Sequence, residues 1–485
     1  MTAPADRGTL SLVLHSHMPY VEGFGTWPFG EEWLWEAVAT VYLPLLEVLD
    51  GAPVTLGLTP VLCDQLAALE GAAGDRFRMF LSDIRAPIHA EDAAGLDDTG
   101  FPELAAEVRR AAGDYVAAES VFEGARGQVL DAFARLAGPE LWTSTATHAV
   151  LPLLATESGL RLQVGAGVAS HTSRFDGWRG GFWLPECAYE PGLERALAER
   201  GVGAFCVDQT DALGLGSLDQ LEPVLTDAGP VAVPIDWQTV QLVWSRAGYP
   251  SDGRYRDYHG RTVHDLRPWN VAGGAYRRAE ALELAREHAR AFVAHCGARL
   301  DAYRDERGRP GLLCCALDTE LLGHWWYEGL DWLGAVIDEA DRQRVPLAPV
   351  ADALERVEPV RRDLAAGSWG LPKDMTTWDS PRVADIAWVQ RDAELRTVRT
   401  AALANGNGRG AAMQRAAREL LALQASDWAF QETFATAGDY PARRVAAHSQ
   451  ALDAALAAVE DSAAVPEPNV RNLAPGLDLS PLLAP

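Results

Sequence analysis

The sequence is poor in several residue types and patterns, and each shortage excludes a class of protein. Its 485 residues include one lysine, Lys373, beside abundant arginine, which indicates a composition bias of the genome and not a function. The six cysteines are scattered and form no CxxC pair, so we expect neither a cysteine-held zinc site nor a redox pair. No window of about 18 apolar residues occurs, and the N-terminus lacks the basic region and apolar run of a signal peptide. We therefore expect a cytoplasmic protein without transmembrane helices.

Positive charge is also scarce. Lys and Arg number 42 against 68 Asp and Glu, which gives a net charge of −26. Such a field repels nucleic acids and anionic membrane surfaces, so we expect neither as a partner. It does not disfavour a neutral polymer. The sixteen tryptophans often stand beside Gly, Pro or charged residues, a setting typical of loops and clefts.

Short apolar runs alternate with helical patterns along most of the chain. The runs show little polar alternation, which is typical of parallel strands buried on both faces. Residues 31–49 carry apolar side chains at helical spacing, and residues 191–200 begin with a proline and end before Gly201. This strand–helix–strand order predicts an α/β barrel. The predicted strands are 9–15, 54–58, 141–148, 162–168, 181–184, 204–208, 231–235 and 311–317.

Two regions interrupt the alternation and suggest a domain division. Residues 63–136 are mostly helical and follow the second predicted strand, so they are predicted to be an insertion in a catalytic barrel of residues 1–365. The segment that follows is rich in Ala, Leu and Arg without a convincing strand, which predicts a helical C-terminal domain at 366–465 with a flexible interruption at 405–410. Residues 466–485 are rich in Pro and Leu and are predicted to be a tail, poorly ordered or packed on the surface.

Two carboxylates stand at the ends of predicted strands among aromatic residues. Glu186 follows the run at 182–184, and Asp318 closes the run that precedes a cluster of aromatic side chains. Barrel chemistry is carried at strand ends, and two carboxylates that face one cleft can cleave a glycosidic bond. We assign Glu186 as the nucleophile and Asp318 as the acid/base. The sequence alone does not rank Asp318 above Glu320 or Glu157, and Glu320 lies on the same side as Asp318, where it could support it.

Several short segments together resemble the motifs of family-57 glycoside hydrolases, and more narrowly of their α-1,4-glucan branching enzymes. The resemblance implies a (β/α)7 barrel with an inserted helical subdomain and a helical C-terminal domain. It also implies retaining chemistry on an α-glucan, with Glu186 as nucleophile, Asp318 as acid/base, and neither metal nor cofactor. The segments are HSHMPY at 15–20 with WPFGEEW at 27–33, THAVLPLL at 147–154, GFWLPECAY at 181–189, CALDTELLGHWWYE at 315–328, GSWG at 367–370 and SDWAF at 426–430.

The resemblance also suggests which residues bind the glucan. Histidines close to the scissile bond would contact sugar hydroxyls, tryptophans would line the groove, and one residue of the C-terminal domain would close it. Members of the family carry a loop with a tyrosine at its tip that favours transfer over hydrolysis, and residues 248–255 resemble that loop, with Tyr249 or Tyr255 at the tip. The other implied substrate-binding residues are His15, His17, His148, His324, Trp27, Trp269, Trp369, Trp378 and Asp427.

Three alternative functions compete with branching. Hydrolysis of the same α-1,4 bond, as in an α-amylase, would use the same residues and differ only in the access of water. A metal-dependent polysaccharide hydrolase could bind zinc through His15, His17 and an acidic third ligand. A non-catalytic glucan-binding protein would also need many tryptophans, but the presence of both Glu186 and Asp318 argues against it.

Overall fold

The fold is an α/β barrel that is extended by helices. The computed structural model describes residues 7–26, 29–404, 410–461 and 472–483. Trp27 and the predicted interruption at residues 405–409 lie outside the described residues. The strands are β1 (Thr9–Ser16), β2 (Thr55–Leu58), β3 (Glu140–Ser144), β4 (Gly181–Trp183), β5 (Ala204–Val207), β6 (Val224–Leu225), β7 (Val231–Pro234) and β8 (Leu312–Asp318).

These strands form one curled sheet in the order β6-β7-β5-β4-β3-β2-β1-β8. Every neighbouring pair is parallel except the short antiparallel pair β6–β7. The sheet closes where Ile235 bridges Cys314 in parallel and the Asp236 amide donates to the Cys314 carbonyl at 2.8 Å. Seven parallel strands therefore form the wall of the barrel, and β6 lies outside it. The expectation of a (β/α)7 barrel is confirmed.

Burial explains why the strands read as apolar runs. All eight residues of β1 are buried, because its two faces pack against the barrel interior and the surrounding helices. Close packing also fixes one glycine at the start of β4. A Cβ atom on Gly181 would lie 2.0 Å from Nε1 of the buried Trp142, so only glycine leaves room for that indole.

A buried ion pair lies at the closing seam between β7 and β8. The carboxylate of Asp236 has no exposed surface and accepts hydrogen bonds from Arg299 Nε at 2.8 Å and Nη2 at 2.6 Å. Thr239 Oγ1 donates to the same carboxylate. Arg299 lies on the long helix Arg278–Arg307, so this pair fixes that helix to the barrel seam.

Helices occupy the connections between strands and the end of the chain. The region between β2 and β3 is helical almost throughout, as the sequence predicts for the insertion. In chain order the helical segments are Glu31–Ala37, Val38–Tyr42, Leu43–Leu49, Pro60–Ala68, Ala72–Met79, Phe80–Arg85, Ala86–Asp98, Pro102–Gly124, Val129–Ala134, Leu151–Leu153, Glu157–Thr172, Pro185–Cys187, Leu193–Ala198, Thr210–Leu213, Leu218–Leu221, Trp237–Trp244, Tyr249–Ser251, Arg278–Arg307, Thr319–Leu321, Gly329–Arg342, Val350–Leu354, Ala384–Ala404, Gly410–Leu423, Asp427–Phe434, Tyr440–Glu460 and Ser480–Leu483.

One predicted strand is wrong. Residues 162–168 lie inside the helix Glu157–Thr172, whose first turn is capped by the Thr156 side chain accepting from the Gly159 amide. A short apolar run of this length is ambiguous between a strand and a buried helix face, and the capping threonine was the overlooked signal. The strand predicted at 141–148 is also shorter than expected, since β3 ends at Ser144 and His148 lies in the loop beyond it.

The C-terminal helices share one hydrophobic core with residues of the barrel, among them Val61 and Leu162. Leu420, Leu452 and Trp428 lie at its centre with almost no exposed surface. Leu473 and Leu482 are also fully buried in this core, so the described part of the predicted tail is packed against the helices. Within the described ranges, no helix is both long and apolar enough to cross a membrane.

Candidate active site

A cleft of about 1930 Å³ opens at the carboxyl ends of the barrel strands. Its walls come from the strand ends, from the loops that follow them, and from the C-terminal helices. Parallel barrels place their strand-end side chains around one common opening, which explains how residues distant in sequence meet here. The predicted site residues that line the cleft are His15, His17, His148, Glu186, Asp318, Glu320, His324, Trp369, Trp378 and Asp427.

Glu186 is held from both sides just beyond β4. Its backbone adopts a left-handed conformation at φ 61°, an uncommon one for a residue other than glycine. Trp369 Nε1 donates to Oε2 at 2.8 Å, and Ser426 Oγ donates to Oε1 at 2.9 Å. The Trp369 amide also donates to the Glu186 carbonyl at 2.9 Å. Each carboxylate oxygen therefore has one fixed donor.

Two opposing effects set the protonation of Glu186. Burial raises the pKa of this carboxyl to about 7. The hydrogen bonds from Trp369 and Ser426 oppose that rise because they stabilise the carboxylate, while the nearby charge of Asp427 adds to it. Glu186 thus titrates near neutrality and is partly ionised there.

Asp318 is the last residue of β8 and lies in register with His15 on β1. Burial raises the pKa of Asp318 well above its usual range, and the negative charges of Glu320 and Glu186 raise it further. Its carboxyl has no hydrogen-bond partner among the described residues. These effects favour the protonated form of Asp318, and among the described residues no donor opposes them as Trp369 and Ser426 do at Glu186.

Glu320 lies two residues after Asp318, and two hydrogen bonds hold its carboxylate. Tyr42 Oη donates to its Oε1 at 2.5 Å, and the His17 amide donates to the same oxygen at 3.1 Å. Burial raises the pKa of Glu320 to about 7, against the stabilising effect of these donors. Glu320 lies close enough to Asp318 for its negative charge to raise the pKa of that carboxyl.

Three histidines stack beside Glu186. The rings of His17 and His148 lie 4.1 Å apart, and those of His15 and His148 lie 4.8 Å apart. His15 also stacks on Trp183 at 4.6 Å. Burial lowers the pKa of His15 and of His148 well below the usual range, and the neighbouring imidazoles add to that effect. Both rings are therefore neutral.

His17 differs from the other two because it faces a carboxylate. Its Nε2 lies 2.8 Å from Asp427 Oδ2, and its Nδ1 lies 3.2 Å from Thr59 Oγ1. Burial lowers the pKa of His17, but Asp427, Glu320 and Glu186 outweigh burial and raise it above its usual value. The contact between His17 and Asp427 links the residue after β1 to the C-terminal helices, and the carboxylate favours the charged form of the ring.

The metal-binding alternative has little geometric support. In the described parts of the chain, no group of three or more His, Cys, Asp or Glu side chains is arranged to hold a metal ion. The Nε2 atoms of His15 and His17 instead contact His148 and Asp427. These contacts concern only the zinc ligands proposed above, His15 and His17.

Three predicted substrate-binding residues do not line the cleft among the described residues. Tyr255 is fully buried and its hydroxyl contacts His288 Nδ1 at 2.9 Å. Tyr249 stacks on the same His288 ring at 4.3 Å and packs against the barrel core. Trp269 pairs through its backbone with Ala275 and does not line the cleft. The turn residues of this segment fold it against the barrel, so neither tyrosine reaches the opening.

The predicted residues that line the cleft differ in how much of each side chain is exposed. Trp369 is half-buried, with its indole N–H directed at Glu186. Trp378 is only 3% exposed and packs mainly in the core of the C-terminal helices. Burial, together with nearby arginines, lowers the pKa of His324 to about 3, so this ring is neutral beside the cleft.

Sequence reasoning missed three cleft residues. Tyr258 lines the cleft three residues beyond the loop that was singled out, and the Arg267 guanidinium stacks on its ring at 4.1 Å. Trp244 and Trp325 are 40% and 39% exposed, with ring centroids 6.0 Å apart. Among the fifteen tryptophans of the described residues only these two and Trp388 are exposed, a signal that only the structure supplies.

Two further residues contact groups of the site, and the sequence analysis did not identify them. Ser426 contacts Glu186 directly, although sequence reasoning assigned only its neighbour Asp427. Lys373 Nζ donates to Asp208 Oδ2 at 2.8 Å and to the Trp369 carbonyl at 3.1 Å. The ammonium also lies 3.1 Å from the centre of the Trp237 ring. The one lysine of the chain therefore fixes the backbone that presents the Trp369 indole.

Known sequences similar to this chain cover most of its length. Residues 103–242 match glycosyl hydrolase family 57, and residues 390–474 match the C-terminal region of 1,4-alpha-glucan branching enzymes. A 1,4-alpha-glucan branching enzyme of Thermococcus kodakarensis is 31% identical over 92% of this chain and 72% of its own length. A probable 1,4-alpha-glucan branching enzyme of Mycobacterium tuberculosis is 33% identical over 92% of this chain and 91% of its own.

Similarity in three dimensions is equally extensive. The crystal structure of a branching enzyme of the family-57 type from Pyrococcus horikoshii matches with a TM-score of 0.91 at 29% sequence identity. The match covers 99% of this chain and 97% of the other, so it includes the barrel, the insertion and the C-terminal helices. With relatives above 30% identity along most of their length, this chain belongs to glycosyl hydrolase family 57, in the group that contains the branching enzymes.

Proposed function

We propose that this protein is a 1,4-α-glucan branching enzyme. It would cleave α-1,4 bonds of a glucan by a retaining double displacement and transfer the released segment to a 6-hydroxyl. The relatives named as branching enzymes support this activity and substrate. The observation that carries the chemistry is a difference between two buried carboxylates in one cleft: Glu186 receives two hydrogen-bond donors, whereas Asp318 faces the negative charges of Glu320 and Glu186.

That contrast supports one role for each carboxylate. A nucleophile must be ionised, and Glu186 receives two donors that favour the carboxylate. A general acid must carry its proton, and Asp318 has neighbouring negative charges and no donor among the described residues. Exchanging the two roles would require each group to work against its surroundings.

The proposed reaction proceeds in two displacements. Glu186 attacks the anomeric carbon while Asp318 gives its proton to the glycosidic oxygen, so the leaving glucan departs with a free 4-hydroxyl. Asp318, now a carboxylate, removes the proton of an incoming 6-hydroxyl as that oxygen attacks the covalent glycosyl-enzyme. Glu186 is released as a carboxylate, an α-1,6 bond has formed, and Asp318 is protonated again.

The surrounding residues are proposed to hold the glucan and exclude water. His15, His17 and His148 would contact sugar hydroxyls beside Glu186, and His324 would do so on the side of β8. Trp369, Trp378 and Asp427 would form the opposite wall. We also propose that residues 1–365 form the catalytic domain, with residues 63–136 as an insertion. Residues 366–465 would then form a second domain that supplies this wall.

Hydrolysis is the second candidate, and one observation favours it. Neither Tyr249 nor Tyr255 reaches the cleft, so the residues expected to favour transfer are absent from it. Tyr258, three residues beyond this segment, lines the opening, and we propose that its ring takes their place. Transfer requires that a sugar hydroxyl, and not water, occupies the position next to Asp318.

Incubation of amylose with the purified protein tests the proposal. New reducing ends and new α-1,6 linkages are measured together, the latter by debranching and sizing of the released chains. Many branches with few reducing ends support transfer, whereas reducing ends without branches would make the protein a hydrolase. Glu186→Gln should abolish both products while glucan binding remains. Glu157→Gln, on an exposed residue that does not line the cleft, is the matched control and should leave both products unchanged.

A further inference from the structure

The nucleophile proposed above receives one of its donors from the C-terminal helices. Ser426 is 5% exposed and immediately precedes the helix Asp427–Phe434. Its amide donates to the His148 carbonyl at 3.1 Å, and Ala425 forms an antiparallel bridge with Ala149. These backbone contacts dock the segment onto the loop after β3. These backbone contacts of residues 425 and 426 therefore fix the position of the Ser426 hydroxyl.

The same hydroxyl also contacts an imidazole. His148 Nδ1 lies 2.9 Å from Ser426 Oγ, whereas it lies 3.6 Å from Glu186 Oε1. The longer distance exceeds that of a hydrogen bond. Ser426 is thus the hydrogen-bonded link between His148 and Glu186.

The direction of each hydrogen bond follows from what each atom can do. A carboxylate only accepts, so the Ser426 hydroxyl donates its proton to Glu186 Oε1. Ser426 Oγ must then accept from His148, which places the proton of that neutral ring on Nδ1. His148 Nε2 is left as an acceptor, and His15 Nε2 lies 2.9 Å from it. His15 is therefore protonated on Nε2.

The far end of this chain agrees with that assignment. His15 Nδ1 is buried and has no hydrogen-bond partner among the described residues. In the tautomer deduced here Nδ1 carries a lone pair and no proton, so no buried N–H is left without an acceptor, which would be costly. Burial lowers the pKa of His15 and of His148 well below the usual range, which agrees with two neutral rings.

We propose that Ser426 is a positioning residue for Glu186, the last link of a directed chain from His15 through His148. Its hydroxyl holds the carboxylate ionised and oriented for attack, so the C-terminal helices contribute to the reaction and not only to the glucan groove. This inference rests on the proposed role of Glu186 as nucleophile. The other titratable groups near Glu186 are His17, His148, Cys187, Asp318 and Asp427. Of these, His148 is hydrogen-bonded to the Ser426 hydroxyl and loses that acceptor in Ser426→Ala, while burial holds the pKa of its ring well below the usual range.

A pH profile distinguishes this role from a merely structural one. Ser426→Ala removes a donor to the carboxylate, so the acid limb of kcat/KM should move upward by about one pH unit. Activity below neutral pH should then fall about tenfold relative to the unaltered protein and recover most of that loss in alkaline solution. Ser426→Cys, which keeps the volume but donates weakly, should shift the limb in the same direction by less.

The matched control is Ser158→Ala. Ser158 is fully buried, its hydroxyl has no hydrogen-bond partner in the described chain, and it lies outside the cleft on the helix Glu157–Thr172. This change should leave the pH profile in place. An unshifted limb in both Ser426 variants, with the same loss at every pH, would overturn the proposal. An equal shift in Ser158→Ala would overturn it as well.

A second readout needs no substrate. Two-bond ¹H–¹⁵N spectra of protein labelled at histidine separate the two neutral tautomers. We expect His148 to carry its proton on Nδ1 and His15 on Nε2, and the His148 signals to move in Ser426→Ala. A proton on His148 Nε2 would refute the directed chain. Because this result does not depend on turnover, it remains interpretable if the unaltered protein forms no branches and the proposed function fails.

Discussion

The indole N–H of Trp369 offers the sharpest test of how Glu186 is kept ionised. Trp369→Phe keeps an aromatic ring in the cleft but removes the donor that lies 2.8 Å from Glu186 Oε2. The backbone hydrogen bond from residue 369 to the Glu186 carbonyl does not depend on the side chain and should persist. The substitution therefore perturbs one hydrogen bond to one carboxylate oxygen.

The size of the effect follows from the charge on the acceptor. A hydrogen bond to a charged group contributes about 1.5–3 kcal/mol, which corresponds to roughly 1–2 pKa units. Burial has already raised the pKa of Glu186 to about 7, so loss of this donor should raise it further. At pH 7 the ionised fraction would fall from about one half to about one tenth or less, and the rate should fall about 5- to 50-fold.

The assay is initial transfer on amylose, measured across pH at saturating and at low substrate. Because the ionised form is active, the acid limb should move to higher pH, and the two proteins should converge in alkaline solution. Trp388→Phe is the control, since Trp388 is 67% exposed on the helix Ala384–Ala404 and does not line the cleft. A pH-independent loss in Trp369→Phe would show that the indole serves only as a surface for sugar, and the reasoning would be refuted.

Three further predictions follow from contacts in and below the cleft. Glu320→Gln removes a negative charge that raises the pKa of Asp318, so the basic limb of the pH profile should move to lower pH; an unmoved limb would contradict this. Arg299→Met leaves the carboxylate of Asp236 buried without its partner and should lower the free energy of unfolding by about 3–5 kcal/mol in chemical denaturation. Tyr258→Ala should raise the ratio of reducing ends to branches on amylose, whereas Tyr258→Phe should not.

Sequence patterns predicted the barrel well because its strands are buried on both faces. Seven of the eight predicted strands correspond to strands of the structure, and the exception, at 162–168, is a buried helix. Apolar content alone does not distinguish those two environments. The antiparallel strand β6 was not predicted, because two residues are too few to show a periodic pattern of apolar side chains.

The site was predictable where its residues end strands and not where tertiary packing brings them in. Glu186 and Asp318 stand directly after apolar runs, which is a local signal. Ser426 reaches the cleft only because the C-terminal helices dock on the loop after β3, and no local pattern indicates that docking. Tyr249 or Tyr255 was expected at the opening, but the Tyr255 hydroxyl contacts His288, more than thirty residues along the chain.

The single lysine makes the cleft accessible to spectroscopy without any engineered label. Lys373 carries the only side-chain amine of the sequence, and its ammonium lies over the Trp237 ring and against the Trp369 carbonyl. Reductive methylation with ¹³C-formaldehyde would therefore introduce one side-chain resonance, displaced by the ring current of the indole. Movement of that resonance on addition of maltooligosaccharides would report glucan binding from within the wall of the cleft.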